Sequence, residues 1–257
     1  MTQLLAEIGP LLLTVAALVT VFAGFVKGAV GFALPMIMIS GLGSVLAPEL
    51  ALAALIVPTV TANVWQAFRD GLRAAWASVR RFWLYTAITL VFIAGSAQLV
   101  RLIPDWAFFL ALGVPVTLFA VAQLVGWRLI LAPGQRRRAE VIIASVAGFI
   151  GGLSGVWGPP TVAYLTAIDT PKAEQMRVQG VIYGAGAVVL LLSHLKSGVL
   201  NAQTLPLSFA MLVPCLIGMG LGLWAHDRMD QARFRKLTLA VLVVAGLNLI
   251  RRGLMGL

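Results

Sequence analysis

The chain has 257 residues, of which 60% are hydrophobic and 11% are charged, and its formal net charge is +10. Soluble globular domains carry about 25% charged residues, so this composition argues against a soluble enzyme and excludes a disordered chain. The basic residues lie in short gaps between apolar runs, where topology-setting charges belong, so we expect no nucleic acid partner. The composition predicts an all-α, multi-pass membrane protein in a lipid bilayer.

Two apolar stretches, 8–46 and 139–168, are interrupted in the middle by glycines and prolines. The second has 30 residues, which is too short for two crossings and long for one. A re-entrant hairpin of two half-helices, each about 13 residues and ~20 Å long, fits this length best. The first stretch is longer, so an arm that crosses the membrane completely remains an alternative there.

Six uninterrupted apolar segments are each about as long as a bilayer crossing requires. They are residues 49–68, 82–100, 106–128, 172–195, 204–225 and 234–250. Pro48 and Pro171 stand at the first turn of two of these segments, which is a favoured position for proline in a helix. The sequence therefore predicts two broken hairpins and six full spans.

The distribution of Lys and Arg predicts which gaps face the cytoplasm. The gaps 69–81, 128–138 and 228–236 contain four basic residues each, and Lys172 and Arg177 start a helix on the same side. Assigning these 14 to the cytoplasm leaves 4 outside, apart from Lys27, which is a strong positive-inside bias. In this arrangement the stretch 139–168 must enter the membrane and return to the same side.

An internal repeat divides the chain into two halves. Residues 24–35 align with 148–159 at an offset of 124, with three glycines, a Phe and a Pro matching in place. Each copy is followed by three predicted helices, and because three is odd the second half must run upside down relative to the first. The predicted division is 1–131 and 132–257, the inverted-repeat architecture of secondary transporters.

The two breaks predict a substrate site between the halves. Broken helices are tolerated only inside the protein or beside a wet cavity, and paired breaks mark transporter binding sites. Half-helices that restart near Phe32 and Val156 would direct free N–H groups and positive dipole ends toward the centre, which suits an anion. Lys27 lies in an apolar stretch, where a cation costs ~2.5–3.5 kcal/mol, and is the predicted counter-charge. Snorkelling of Lys27 to an interface is the alternative.

Polar faces on the following helices extend this site. Thr59, Asn63 and Gln66 share one face, and Gln179 and Tyr183 share another; such faces usually lie inside a membrane bundle. Interhelical hydrogen bonding is the alternative explanation. The candidate substrate-binding residues are Lys27, Gly28, Gly31, Phe32, Asn63, Gln66, Gly152, Ser154, Gly155, Trp157, Arg177, Gln179 and Tyr183.

Several of these candidates have simpler interpretations. Ser154 could cap the second half-helix, Trp157 could pack against its neighbours, and Arg177 could set the topology. Glycines are favoured at tight turns and close packing as much as at binding sites. The sequence has no nucleophile or metal-ligand constellation and no phosphate-cradling loop, so we expect neither an enzyme nor a cofactor beyond a coupling ion.

The glycine-rich patches Gly24–Pro35 and Gly148–Pro160, each leading into a short helix and a Pro-started span, resemble those of the TauE/SafE sulfite-exporter family, also called the toluene-sulfonate uptake permease family. The resemblance covers essentially the whole chain. It implies transport of sulfite, sulfoacetate or other sulfonates, coupled to a proton or sodium gradient, in the bacterial inner membrane. We expect alternating access; an anion channel, a membrane enzyme and a subunit without transport of its own are alternatives, and a homodimer stays open.

Overall fold

A computed structural model describes residues 3–102, 104–127, 131, 133–154, 157–168, 170, 172–226, 228 and 230–255 of the chain. These residues form α-helices and two short 3₁₀ turns, with no strand in the ranges described. The helices of the first half are α1 Gln3–Val30, α2 Leu34–Leu42, α3 Pro48–Phe68, α4 Leu72–Arg81, α5 Trp83–Ser96 and α6 Asp105–Leu124. Those of the second half are α7 Arg136–Ser154, α8 Gly158–Ala167, α9 Lys172–Ser197, α10 Leu205–Ala210, α11 Leu212–His226 and α12 Gln231–Met255.

Several of these helices are long and apolar enough to cross a membrane. Four single spans and one bent pair qualify within the described residues: Leu4–Val30, Pro48–Phe68, Arg177–Ser197, Leu205–Ala225, and Leu72–Arg81 with Trp83–Leu99. α12 also has 25 residues, which is sufficient for a crossing. The chain is an all-α, multi-pass membrane protein.

Both apolar stretches with central glycines are broken helices. The first consists of α1 and α2, separated by residues 31–33, and the second consists of α7 and α8. The arms are unequal, at 19 and 10 residues in the second hairpin, so the expectation of two equal half-helices of about 13 residues is wrong. α1 is kinked at the non-helical residue Gly9, and its continuous part, residues 10–30, is long enough for a complete crossing.

One helix lies in a segment that the sequence assigned to a gap. α4 is a ten-residue amphipathic helix with Arg80 and Arg81 in its last turn, and it is bent by 81° from the helix that follows. Its apolar residues Leu72 and Trp76 are exposed. A short amphipathic helix with a basic face is typical of a segment that lies in the membrane interface.

α1 packs along α11, and glycines bring the two backbones into contact. A Cβ atom added at Gly24 would lie 2.3 Å from the carbonyl oxygen of Cys215, and one at Gly28 would lie 2.3 Å from that of Met219. The residue numbers increase together along this glycine seam, so the two helices are parallel. The seam consists of Gly24, Gly28, Gly218 and Gly222.

α7 packs along α5 in the same way. A Cβ at Gly148 would lie 2.5 Å from the carbonyl oxygen of Thr89, and one at Gly152 would lie 2.5 Å from that of Ile93. These helices are also parallel. α1 and α7 end 124 residues apart, which is the offset of the sequence repeat, so they are counterparts in the two halves. Each of them packs on a helix of the other half.

α3 and α9 also begin 124 residues apart, and they pack on each other in opposite directions. Gly180 of α9 contacts the backbone of Ala67, whereas Gly184, one turn later, contacts Asn63, one turn earlier in α3. Rising residue numbers in one helix therefore meet falling numbers in the other. α6 and α12 are antiparallel by the same test, with the contact pairs Gly253–Trp106 and Gly246–Thr117.

Polar contacts join the gap after α3 to the start of α9. Arg177 lies 3.7 Å from the Asp70 carboxylate and donates from Nε to Ser78 Oγ at 3.1 Å. Arg81 donates to Glu174 at 2.5 Å. Solvent-exposed pairs of this kind contribute at most about 1 kcal/mol each. They nevertheless place the two segments at the same end of the bundle, as the charge distribution predicts.

Candidate functional site

The first break is formed by two residues with positive φ angles. Gly31 has φ +83° and Ala33 has φ +79°, and α2 restarts at Leu34 with Pro35 in its first turn. A glycine adopts this left-handed region freely, whereas a residue with a Cβ pays ~1–2 kcal/mol for it. The chain therefore stores strain at Ala33, directly beside the predicted binding site.

We expect Ala33→Gly to stabilise the protein. The change removes the cost of the left-handed conformation, but it also increases the conformational entropy of the unfolded chain, which destabilises the folded state by about 0.4–1 kcal/mol. The net gain in the free energy of unfolding is therefore up to about 1 kcal/mol. At this chain length that raises Tm by about 2–4 °C, measurable by thermal unfolding in detergent. Ala29→Gly, within helix α1, is the matched control and should lower Tm; an equal loss in both variants would contradict the strain.

The two breaks meet in the centre of the protein. A Cβ added at Gly158, the first residue of α8, would lie 3.9 Å from the ring of Phe32 in the first break and 3.7 Å from the Tyr183 hydroxyl. That hydroxyl donates to the Gly158 carbonyl oxygen at 3.1 Å. Trp157 packs edge-on against Tyr183, with 6.3 Å between ring centroids. Phe32, Trp157, Gly158 and Tyr183 therefore form one contiguous group.

Lys27 lies in this group. Its ammonium donates to Gln66 Oε1 at 2.5 Å and to the Gly31 carbonyl oxygen at 3.2 Å, and it stands 5.8 Å from the centroid of the Tyr183 ring. Its side chain does not snorkel: the residue is 2% exposed. Six of the predicted site residues, from three helices and both breaks, are thus brought together by the fold.

Three further polar atoms are buried on the helices that flank the group. Asn63 Oδ1 and Thr59 Oγ1 on α3, and Gln179 Oε1 on α9, have no hydrogen-bond partner among the residues that the structure describes. An unsatisfied buried polar atom costs about 1–3 kcal/mol, and native proteins usually supply such an atom with water or a ligand. The predicted polar faces of α3 and α9 are therefore buried inside the bundle, and part of their hydrogen-bonding capacity remains available to a solute.

The two half-helix starts are not equivalent as anion sites. The first turn of α2 contains one proline, Pro35, between Leu34 and Met36, whereas α8 begins Gly158-Pro159-Pro160. Proline has no backbone N–H, so α8 offers one donor in its first three residues and α2 offers two. The start of α2 therefore has more N–H groups to offer an anion than the start of α8 has.

The remaining predicted residues lie elsewhere or serve packing. Gly28 and Gly152 are held against the backbones of α11 and α5, and Arg177 is engaged with Asp70 and Ser78 near the end of the bundle. Ser154 is the last residue of α7, with its side chain outside the described part. Gly155 lies outside the described residues as well. The binding role of these residues stays a prediction.

Sequence reasoning missed two buried polar groups beside the second break. His194 of α9 donates from Nε2 to the Gly152 carbonyl oxygen at 3.1 Å, and its Nδ1 lies 3.2 Å from Ser197 Oγ. The Tyr85 hydroxyl donates to Thr161 Oγ1 at 3.0 Å. Both link a neighbouring helix to the broken hairpin, and no short-range pattern could indicate such partners.

Most of the central group is shielded from solvent in this conformation. Lys27 and Trp157 are each 2% exposed and Tyr183 is 4% exposed, whereas Phe32 and Gly158 are partly buried. The ammonium of Lys27 is therefore not open to solvent. The arrangement combines a buried cation, unsatisfied polar atoms and aromatic walls at the meeting point of two helix breaks, which suits a small anion bound in an occluded state.

Comparison with known proteins agrees with this geometry. The model of the family described as "Sulfite exporter TauE/SafE" matches residues 16–249. No curated protein and no solved structure matches the chain. The match includes both helix breaks, Lys27 and the helices α3 and α9, and it confirms the resemblance based on the duplicated glycine patches. The chain belongs to the sulfite exporter TauE/SafE family.

Proposed function

We propose that the protein is a secondary transporter that moves a small sulfur-containing or organic anion by alternating access. The observation that carries the proposal is Lys27, a buried cation at the junction of two broken helices. A buried charge without a counter-ion is costly, and proteins keep such charges where they serve a function. A transported anion would supply the missing negative charge.

Helix directions support an inverted repeat. The corresponding helices α3 and α9 are antiparallel, and so are α6 and α12. The pairs α1–α11 and α5–α7 exchange partners between the halves and are both parallel. A two-fold axis in the membrane plane turns each helix upside down when it places that helix on its counterpart in the other half. Counterparts that pack on each other, such as α3 and α9, are therefore antiparallel, and the pair α1–α11 becomes the pair α7–α5 with its parallel direction kept. Inverted repeats allow one structure to open alternately to the two sides.

The closed site favours a carrier over a channel. A conducting channel needs a continuous path for its ion, whereas a carrier passes through a state in which the site is sealed on both sides. The burial of Lys27, Trp157 and Tyr183 corresponds to the second case. Helix separation at the breaks would then expose the site to one side at a time.

A proton or a sodium ion is the proposed coupling species. The carboxylates Asp70 and Glu174 are engaged with arginines at the end of the bundle. Unwound carbonyls and the unsatisfied oxygens of Asn63 and Gln179 are hard ligands that suit Na⁺, as in other transporters with broken helices. The bacterial inner membrane is the proposed location, and a homodimer stays a prediction.

A flux assay in liposomes tests this function. Purified protein is reconstituted, and sulfite uptake is followed with an inward proton gradient, an inward sodium gradient, or neither. We expect one of the two gradients to drive sulfite above its external concentration. Flux that only equilibrates sulfite under every gradient would indicate a channel, and absence of protein-dependent sulfite and sulfonate flux would overturn the proposal.

A further inference from the structure

We infer that the site is matched to anions that carry a single negative charge, a preference set by the ammonium of Lys27. The inference rests on the proposed transport function and deepens it, because it names the charge class of the solute. It is carried by the partners of Lys27 and by the placement of the other cations in the described part of the chain.

The surroundings of Lys27 supply acceptors for its N–H groups but no negative charge among the described residues. Its two hydrogen-bond partners, Gln66 Oε1 and the Gly31 carbonyl oxygen, are acceptors, and the face of the Tyr183 ring also attracts a cation. Among the described residues no carboxylate forms an ion pair with Lys27. Lys27 can therefore supply one positive charge to a bound anion and no more.

No second cation is available to the site in the described residues. Lys27 is the only Lys or Arg in that part of the chain that is fully buried. Arg177, the predicted second anion ligand, is engaged with Asp70 at the end of the bundle. The repeat does not supply another lysine either, because the position 124 residues after Lys27 is Gly151.

Elementary electrostatics then separates anions by charge. The cost of removing an ion from water grows with the square of its charge, whereas its attraction to one ammonium grows only in proportion to the charge. A monoanion neutralises Lys27 completely. A dianion of similar size pays about four times the desolvation cost for twice the attraction, and it leaves one negative charge uncompensated inside the membrane.

This charge balance divides the sulfur oxyanions into two groups. Hydrogensulfite and alkanesulfonates carry one charge, while sulfate, disulfonates and sulfoacetate carry two. The rings of Phe32, Trp157 and Tyr183 at the junction can contact the alkyl part of a sulfonate, as apolar walls do in other ligand sites. We therefore place hydrogensulfite and small alkanesulfonates ahead of sulfoacetate as solutes.

Competition in the sulfite flux assay tests the inference. Ethanesulfonate is compared with 1,2-ethanedisulfonate, and methanesulfonate with sulfate, at constant ionic strength and pH. Methanesulfonate and sulfate are similar in size and differ mainly in charge, whereas the ethane pair adds a second sulfonate group together with the second charge. We expect the dianions to need concentrations on the order of 100-fold higher for equal inhibition, since an uncompensated buried charge is strongly unfavourable. Inhibition by either dianion within about tenfold of its monoanion would overturn the inference.

Thermal unfolding connects the preference to Lys27. Ethanesulfonate should raise the Tm of the wild-type protein in a concentration-dependent way, and it should not raise that of Lys27→Gln, whose folding is checked by size-exclusion chromatography. An equal shift in both proteins would overturn the assignment. If the wild-type protein moves sulfite without charge preference, only this inference fails; if no sulfite or sulfonate flux occurs, the proposed function fails with it.

Discussion

Lys27→Met is expected to lower anion transport about 100-fold or more while the protein stays folded in the membrane. Without the ammonium, a bound anion would be an uncompensated buried charge, which costs about 3–5 kcal/mol, or at least two powers of ten in affinity. The variant should keep or slightly raise its Tm, because the empty site loses a buried cation that has no carboxylate partner among the described residues. Sulfite flux and thermal unfolding of the same preparation measure both effects.

Lys196→Met is the matched control for this experiment. Lys196 lies in the last turn of α9 and is exposed, so the change removes the same charge and adds the same side chain away from the site. It should leave flux and Tm nearly unchanged. A large drop in Tm for Lys27→Met would show that Lys27 acts mainly by capping the end of α1, and retained transport would remove it from the binding site.

Gly222→Leu is expected to destabilise the protein more than any surface change. A Cβ at Gly222 would lie 2.0 Å from the carbonyl oxygen of Phe25, so α11 and α1 must separate to admit a side chain. Overpacking of this kind costs about 1–3 kcal/mol, and close backbone contact is a main source of helix association in membranes. A Tm lower by roughly 5–10 °C is the expected outcome.

Gly220→Leu controls for helix propensity and hydrophobicity. Gly220 lies two residues earlier in α11, is exposed, and has no atom within 4 Å of its added Cβ. The same substitution there should be neutral or stabilising, since leucine favours helix more than glycine does. Similar losses of Tm in both variants would mean that the glycine seam does not hold α1 against α11.

The helices and their breaks were largely predictable because they depend on short-range patterns. Runs of apolar residues predict spans, and the glycines and prolines near Gly31 and Pro159 predict the interruptions. α4 escaped prediction because ten residues with several arginines are too short and too polar to stand out from a gap. The two prolines at the start of α8 are in the sequence, but the prediction of N–H donors at both breaks did not take their missing N–H groups into account.

The candidate site was predictable in its charge but not in its contacts. Lys27 stood out because a cation is costly in an apolar stretch. Its partners Gln66 and Tyr183 lie 39 and 156 positions away in the chain, and only tertiary packing determines which residues of a polar helix face meet it. For Arg177, the sequence correctly indicated a position near the start of α9. Its contact with Asp70 could not be predicted, because that contact depends on how α3 and α9 cross.

The exchange of helices between the halves has a consequence for folding. α1 relies on α11 and α7 relies on α5, so residues 1–131 alone would leave their broken hairpin without its backbone partner. Two identical copies of such a half could cover these surfaces only by intertwining, and their assembly would then depend on concentration. Joining both halves in one polypeptide makes that association intramolecular. Assembly of the complete bundle then does not depend on the concentration of the protein in the membrane.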